Sequence, residues 1–127
     1  MKILHTMIRV EDLDRSIKFY QEVLNMRLLK RKDYPHGEFT LAFMGYQEIS
    51  DGPTLELTYN WDKRKYDIGS GYGHIAISVI NIYEMCEKVV KAGFTVSRAP
   101  GPMKGSTSIL AFIEDPDGYK IELIERK

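Results

Sequence analysis

The sequence predicts an α+β protein built from two βαβββ modules that form one curved mixed sheet, with the helices on its convex face. Three observations carry that prediction. First, the chain repeats itself: His5-Thr6-Met7-Ile8-Arg9-Val10 reads against His74-Ile75-Ala76-Ile77-Ser78-Val79 at an offset of 69, and Leu41-Ala42-Phe43 against Leu110-Ala111-Phe112 at the same offset. Leu55-Glu56-Leu57 then meets Ile121-Glu122-Leu123 at an offset of 66, as a shorter connection in the second copy requires. Second, each copy reads strand, helix, strand, strand, strand by its hydrophobic spacing. Third, 127 residues with 43% hydrophobic content suit a single ordinary globular domain. Module one spans about residues 1–60, a linker about 61–73 and module two about 74–127.

In the first module Ile3 to Val10 alternates as a strand. Asp12 is the expected N-cap of a helix whose stripe is Leu13, Ile17, Tyr20 and Leu24, closed by Asn25 in the left-handed conformation. Strands follow at Met26 to Lys32, Glu38 to Met44 and Pro53 to Asn60, separated by Tyr34-Pro35-His36-Gly37 and a polar loop from Gly45 to Gly52. His36 falls in that turn without a counterpart and reads as a surface residue. In the second module His74 to Val79 is a strand, and Asn81 with Glu84 three residues on resembles a capping box for a helix that stops at Gly93. Its stripe is Ile82, Met85, Cys86 and Val89, so the lone cysteine belongs to the core. Thr95 to Arg98, Ser106 to Glu114 and Tyr119 to Arg126 complete the strands. Asp115-Pro116-Asp117-Gly118 is the hairpin turn before the last of them. Gly69-x-Gly71-x-Gly73 precedes a strand instead of opening a helix, so it reads as linker and not as a phosphate loop.

Lysine plus arginine equals aspartate plus glutamate at 18 each, so no global field recruits nucleic acid or an anionic membrane. With only short apolar runs, no signal-like start and one cysteine, the expectation is a soluble cytoplasmic protein.

Alternation assigns faces. His5, Met7 and Arg9 oppose Thr6, Ile8 and Val10, while His74, Ala76 and Ser78 oppose the apolar Ile75, Ile77 and Val79. Glu56, Thr58 and Asn60 oppose Leu55 and Leu57, and Glu122 opposes Ile121 and Leu123. All four repeated polar residues therefore lie on the face away from the helices. A histidine at a strand start is ordinarily a surface residue. The same two residue types at equivalent places in both modules instead indicate one metal site with four protein ligands: His5, Glu56, His74 and Glu122. Two imidazoles and two carboxylates suit nickel, cobalt, zinc or iron(II), and are too nitrogen-rich for calcium or magnesium. They leave positions for exchangeable water, the mark of a catalytic site over a closed structural one.

The chain resembles the glyoxalase I family of the vicinal oxygen chelate superfamily. The resemblance rests on His5-Thr6-Met7 with Arg9-Val10, Arg15-Ser16-Ile17 before Phe19-Tyr20, Glu56-Leu57-Thr58-Tyr59-Asn60-Trp61, Gly73-His74-Ile75-Ala76, and Asp115-Pro116-Asp117-Gly118-Tyr119 leading to Ile121-Glu122. It covers nearly the whole chain. It implies metal-dependent isomerisation of the glutathione–methylglyoxal hemithioacetal to S-lactoylglutathione, with one divalent metal per site held by His5, Glu56, His74 and Glu122 and two waters. It further implies a homodimer with sites at the subunit interface, one chain contributing His5 and Glu56 and the other His74 and Glu122. His5, where the zinc-type eukaryotic members tend to carry glutamine, is similar to the bacterial type and favours nickel(II), with cobalt(II) or zinc(II) as alternatives.

The same resemblance assigns Glu122 as the principal base and Glu56 as its equivalent for the other substrate enantiomer. Arg9 and Asn60, four residues beyond His5 and Glu56 on the same face, are assigned to the γ-glutamyl end of glutathione. Arg98 and Lys104 are assigned to its glycyl carboxylate. Ser70 stands where eukaryotic members place an arginine four residues before the second metal histidine, so that contact differs here. Two rivals share the scaffold. A dioxygenase, epimerase or thiol transferase is disfavoured where a two-histidine, one-carboxylate site would leave Glu56 unexplained. A metal-free drug-binding protein leaves the duplicated His and Glu unexplained.

Overall fold

In a computed structural model that describes residues 1–62 and 65–126, the chain divides into two compact units, Met1–Asp67 and Ile68–Lys127. The boundary falls inside the segment read as linker. The first unit contains β1 (His5–Arg9), α1 (Leu13–Glu22), β2 (Arg27–Tyr34), β3 (Phe39–Gly45), a 3₁₀ turn at Ile49–Asp51, and β4 (Thr54–Asn60). The second contains β5 (Ile75–Val79), α2 (Ile82–Lys91), β6 (Val96–Pro102), β7 (Ile109–Glu114) and β8 (Lys120–Glu125). Each unit is a four-stranded mixed sheet, ordered β1-β4-β3-β2 and β5-β8-β7-β6. The first and last strands of each unit are parallel neighbours and the other pairings are antiparallel. This α+β architecture repeats the βαβββ order expected from the sequence.

Both helices begin where a side chain satisfies an orphan amide. Asp12 Oδ1 accepts from the Arg15 N–H at 3.1 Å, and Asn81 Oδ1 accepts from the Glu84 N–H at 3.2 Å. They end as expected, at Asn25 with φ 55° and at Gly93 with φ 88°. Beyond Asn25, the Met26 N–H donates to the Tyr20 carbonyl at 2.9 Å and turns the chain into β2. The helical stripes are buried: Leu13, Ile17, Phe19 and Tyr20 pack with Ile8, Val10 and Leu57 in the first unit. Ile82, Cys86 and Val89 accompany Ile113, Ile121 and Leu123 in the second. Burial pushes the Cys86 thiol above its usual range, which suits a core residue and not a nucleophile. Among the described residues no helix is long and apolar enough to cross a membrane.

The strand limits differ by two or more residues in four places, one of them β7, which starts at Ile109 and not at Ser106. β1 starts at His5, because Ile3 and Leu4 stay exposed. β2 continues to Tyr34, its hairpin with β3 closing with Tyr34 opposite Phe39. β6 runs through Pro100-Gly101-Pro102, with register shifts on either side of Arg98. It is an edge strand, where prolines cost no ladder hydrogen bond. The Asp115 to Gly118 turn forms as expected: Asp115 Oδ1 accepts from the Asp117 and Tyr119 N–H groups, both at 2.9 Å, and Gly118 takes φ 94°.

Tyr46 pins the exit of α1, its hydroxyl donating to the Leu24 carbonyl at 2.6 Å. Burial pushes its phenol up to about 12 from the usual 10.0. A raised folded-state value means this stabilisation is fully present below pH 10 and is lost as pH rises from 10 towards 12. Tyr46→Phe is therefore expected to cost about 1 kcal/mol at neutral pH and to flatten the alkaline fall of the thermal midpoint. Thermal melts of both proteins across that pH range check it.

Candidate metal centre

The parallel pairing of β1 with β4 sets Met7 opposite Glu56, so His5 lies diagonally across from the glutamate on the same face. His5 Nε2 is 2.6 Å from Glu56 Oε2. The parallel pairing of β5 with β8 sets Ala76 opposite Glu122, and His74, just before β5, brings Nε2 to 3.4 Å from Glu122 Oε1. The imidazoles are 40% and 42% exposed and the carboxylates 11% and 17%, so each pair has its glutamate at the floor and its histidine at the rim.

A phenylalanine completes each pair. Phe43 stands opposite Glu56 and Phe112 opposite Glu122 in the antiparallel neighbours β3 and β7. Each meets the adjacent imidazole edge-on, at 5.7 Å for His5 and 5.2 Å for His74. Such T-shaped contacts hold the ring plane and keep water from one side of the pair. Sequence reading found the Leu-Ala-Phe repeat and gave it no role in the site.

The donor set fits a divalent cation. Two donors each about 2.1 Å from an ion and at right angles to one another lie about 3 Å apart, and the observed 2.6 and 3.4 Å bracket that separation. The same nitrogen, Nε2, faces the carboxylate in both pairs. Each unit supplies two donors, and among the described residues no group of three or more His, Cys, Asp and Glu side chains is assembled as a metal would need.

The pairs are not equivalent. The Thr58 hydroxyl lies 3.4 Å from Glu56 Oε1 and donates to it, while Ile124 occupies the matching place beside Glu122. Glu56 is thus held on both oxygens and Glu122 more loosely. Arg9 is exposed at the end of β1 opposite Thr58. Asn60, half-buried at the end of β4, donates from Nδ2 to the Tyr66 hydroxyl at 2.7 Å. His36 is exposed in its turn.

In the second unit a cavity of about 680 Å³ adjoins His74, lined among others by Ile68, Tyr72, Arg98, Phe112 and Lys120. The Arg98 guanidinium donates to the backbone carbonyls of Gly101, Leu110 and Pro102 at 3.2, 2.8 and 3.1 Å. It therefore ties the bulged β6 edge to its neighbour β7. Lys104 is exposed in the turn that follows β6. The Tyr72 hydroxyl is buried without a hydrogen-bond partner among the described residues. Burial first, then the Asp115 carboxylate and Tyr119, raise its phenol above the usual range. Sequence reading passed over it, since a tyrosine in a glycine-rich segment carries no periodic signal.

The chain matches the model of the Glyoxalase/Bleomycin resistance protein/Dioxygenase superfamily over residues 2–123. It is 58% identical, over 127 residues, to a lactoylglutathione lyase of Neisseria meningitidis serogroup A, covering 100% of this chain and 92% of that protein. Among solved structures, glyoxalase I of Zea mays superposes with a TM-score of 0.94 at 45% identity, covering 98% of this chain and 44% of the longer maize chain. The trypanothione-dependent glyoxalase I of Leishmania major superposes with a TM-score of 0.89 at 43% identity, covering 98% of this chain and 86% of that one.

Proposed function

The chain belongs to the Glyoxalase/Bleomycin resistance protein/Dioxygenase superfamily, and from that premise we propose that it is a lactoylglutathione lyase, isomerising the glutathione–methylglyoxal hemithioacetal to S-lactoylglutathione. The observation that carries this reading is the duplicated His–Glu pair, with Nε2 facing a carboxylate oxygen in both units. Four such donors exceed the two-histidine, one-carboxylate set of a dioxygenase. They also give a metal-free drug-binding protein no reason to keep them.

His5 and Glu56 of one subunit and His74 and Glu122 of its partner hold the metal in a homodimer. Among the described residues no three such donors gather in one chain, which supports the sharing. Nickel(II) is the first assignment, on the resemblance of His5 to the bacterial type, with cobalt(II) or zinc(II) as alternatives that the same nitrogen and oxygen donors accept. When bound, the ion supplies Lewis-acid stabilisation of negative charge on substrate oxygens, worth several kcal/mol. The protein moves the proton. Glu122 takes it from the carbon bearing sulfur and returns it to the adjacent carbon, ending in its starting protonation state. The 3.4 Å spacing to His74, and Ile124 where the first unit has Thr58, support Glu122 as the freer carboxylate. Glu56 plays the matching part for the opposite enantiomer.

Arg9 and Asn60 take the γ-glutamyl end of glutathione, the guanidinium for its carboxylate and the amide oxygen for its ammonium. Arg98 and Lys104 take the glycyl carboxylate, Arg98 also holding the β6 edge from which the Lys104 turn projects. A buried single thiol, Cys86, fits a reducing cytoplasm.

The test is reconstitution. Metal-stripped protein is loaded with nickel, cobalt or zinc and offered the hemithioacetal of glutathione or of an alternative thiol, with thioester formation followed by ultraviolet absorbance. Activity should return with nickel and cobalt and should be highest with glutathione. Protein that binds no divalent ion and forms no thioester with any of them would end the reading.

A further inference from the structure

The segment after β4 holds a hydrogen bond that the lyase reading does not use. Asn60 Nδ2 donates to the Tyr66 hydroxyl at 2.7 Å, and both residues are half-buried. The amide torsion of an asparagine is broad and intrinsically poorly fixed. With its nitrogen turned to Tyr66, Asn60 has its oxygen left to accept from another donor. An ammonium, three donors and no acceptor, is the complementary group.

The residues on either side of Tyr66 make contacts of their own with the first sheet. Before it, the Trp61 N–H donates to the Glu38 carbonyl and the Trp61 indole to Thr40 Oγ1, both at 2.9 Å; Thr40 Oγ1 in turn donates to Asp33 Oδ1 at 2.7 Å. Beside it, Lys65 Nζ reaches to 3.8 Å from Glu11, two residues beyond Arg9. Trp61 and Lys65 are therefore fastened to the same end of the first sheet that carries Arg9 and Asn60.

We infer that Tyr66 is a positioning residue for thiol recognition: by fixing the Asn60 amide, it selects thiols that carry a primary ammonium at their glutamyl end. This rests on the lyase reading and deepens it. Tyr66 does not touch the reacting atoms, so its effect falls on binding that is equal in the ground and transition states.

The experiment compares wild type, Tyr66→Phe, Asn60→Ala and the double variant as full-length metal-loaded protein. Binding of S-hexylglutathione and of its desamino analogue, in which a glutaryl group replaces γ-glutamyl, is read from fluorescence of the single tryptophan, Trp61, and by calorimetry. Tyr66→Phe should weaken S-hexylglutathione by about fivefold, the scale of one hydrogen bond, and leave the desamino analogue unchanged. KM for the hemithioacetal should rise by the same factor, with kcat within about twofold of wild type. In the Asn60→Ala background the substitution should cost nothing more. Equal weakening of both ligands, or none, would overturn the positioning role. Wild type that neither binds S-hexylglutathione nor isomerises the hemithioacetal would instead overturn the lyase reading, and the inference with it.

Discussion

Glu122→Gln is expected to lower kcat by about 10²–10⁴-fold, the range associated with losing a positioned proton acceptor. The substitution keeps the side chain's size and one carbonyl oxygen, so with metal supplied in excess the metal content and KM should stay close to wild type. Loss of kcat with metal and KM retained separates a failed proton transfer from a failed site. Glu56→Gln should lose less, because Glu56 is already committed to His5 at 2.6 Å and to the Thr58 hydroxyl at 3.4 Å. The reverse order, with Glu56→Gln the more damaging, would exchange the two roles. Steady-state kinetics with metal analysis of each variant decides between them.

His5→Ala and His74→Ala should each weaken divalent metal binding by more than about 10²-fold, since even groups that only orient a ligand cost 10–100-fold when lost. Activity should fall to background in both. The effect should be nearly equal for the two, because each histidine donates from Nε2 beside one carboxylate and one phenylalanine. A histidine whose removal left the metal in place would not be a ligand.

Much of this was legible in the chain. Asp12 and Asn81 start the helices through their side chains, and Asn25 and Gly93 end them through left-handed backbone, since caps are local chemistry within a few residues. The alternation around Leu55 and Leu57 put Glu56 on the face opposite the core because a strand's period is two. Pairing is not local, and there the sequence was silent. That Phe43 stands across from Glu56 and Phe112 across from Glu122 follows from strand register between β3 and β4 and between β7 and β8. Periodicity in one strand does not encode that register. The β6 strand continues through two prolines because its position at the sheet edge removes the cost, and edge position is a property of the topology. Arg98 suggests an anion by its residue type, and its backbone partners are not legible in the sequence. Its guanidinium donates to three backbone carbonyls brought close by the bulged edge. Tyr66 lies in a segment with no periodicity at all, and only the fold brings its hydroxyl to Asn60.

A catalytic metal shared by two chains, as proposed, predicts how mixed dimers behave. Two differently tagged variants, His5→Ala and His74→Ala, are expressed together and the doubly tagged dimer is purified. In that dimer one site lacks both histidines, whereas the other combines His5 from one chain with His74 from its partner and is whole. The mixture at equal expression should show about a quarter of wild-type specific activity, since half the dimers are mixed and half the sites in those are intact. The purified doubly tagged dimer should show about half. Activity no higher than that of either variant alone, with the mixed dimer present and folded, would contradict a site built across the two subunits.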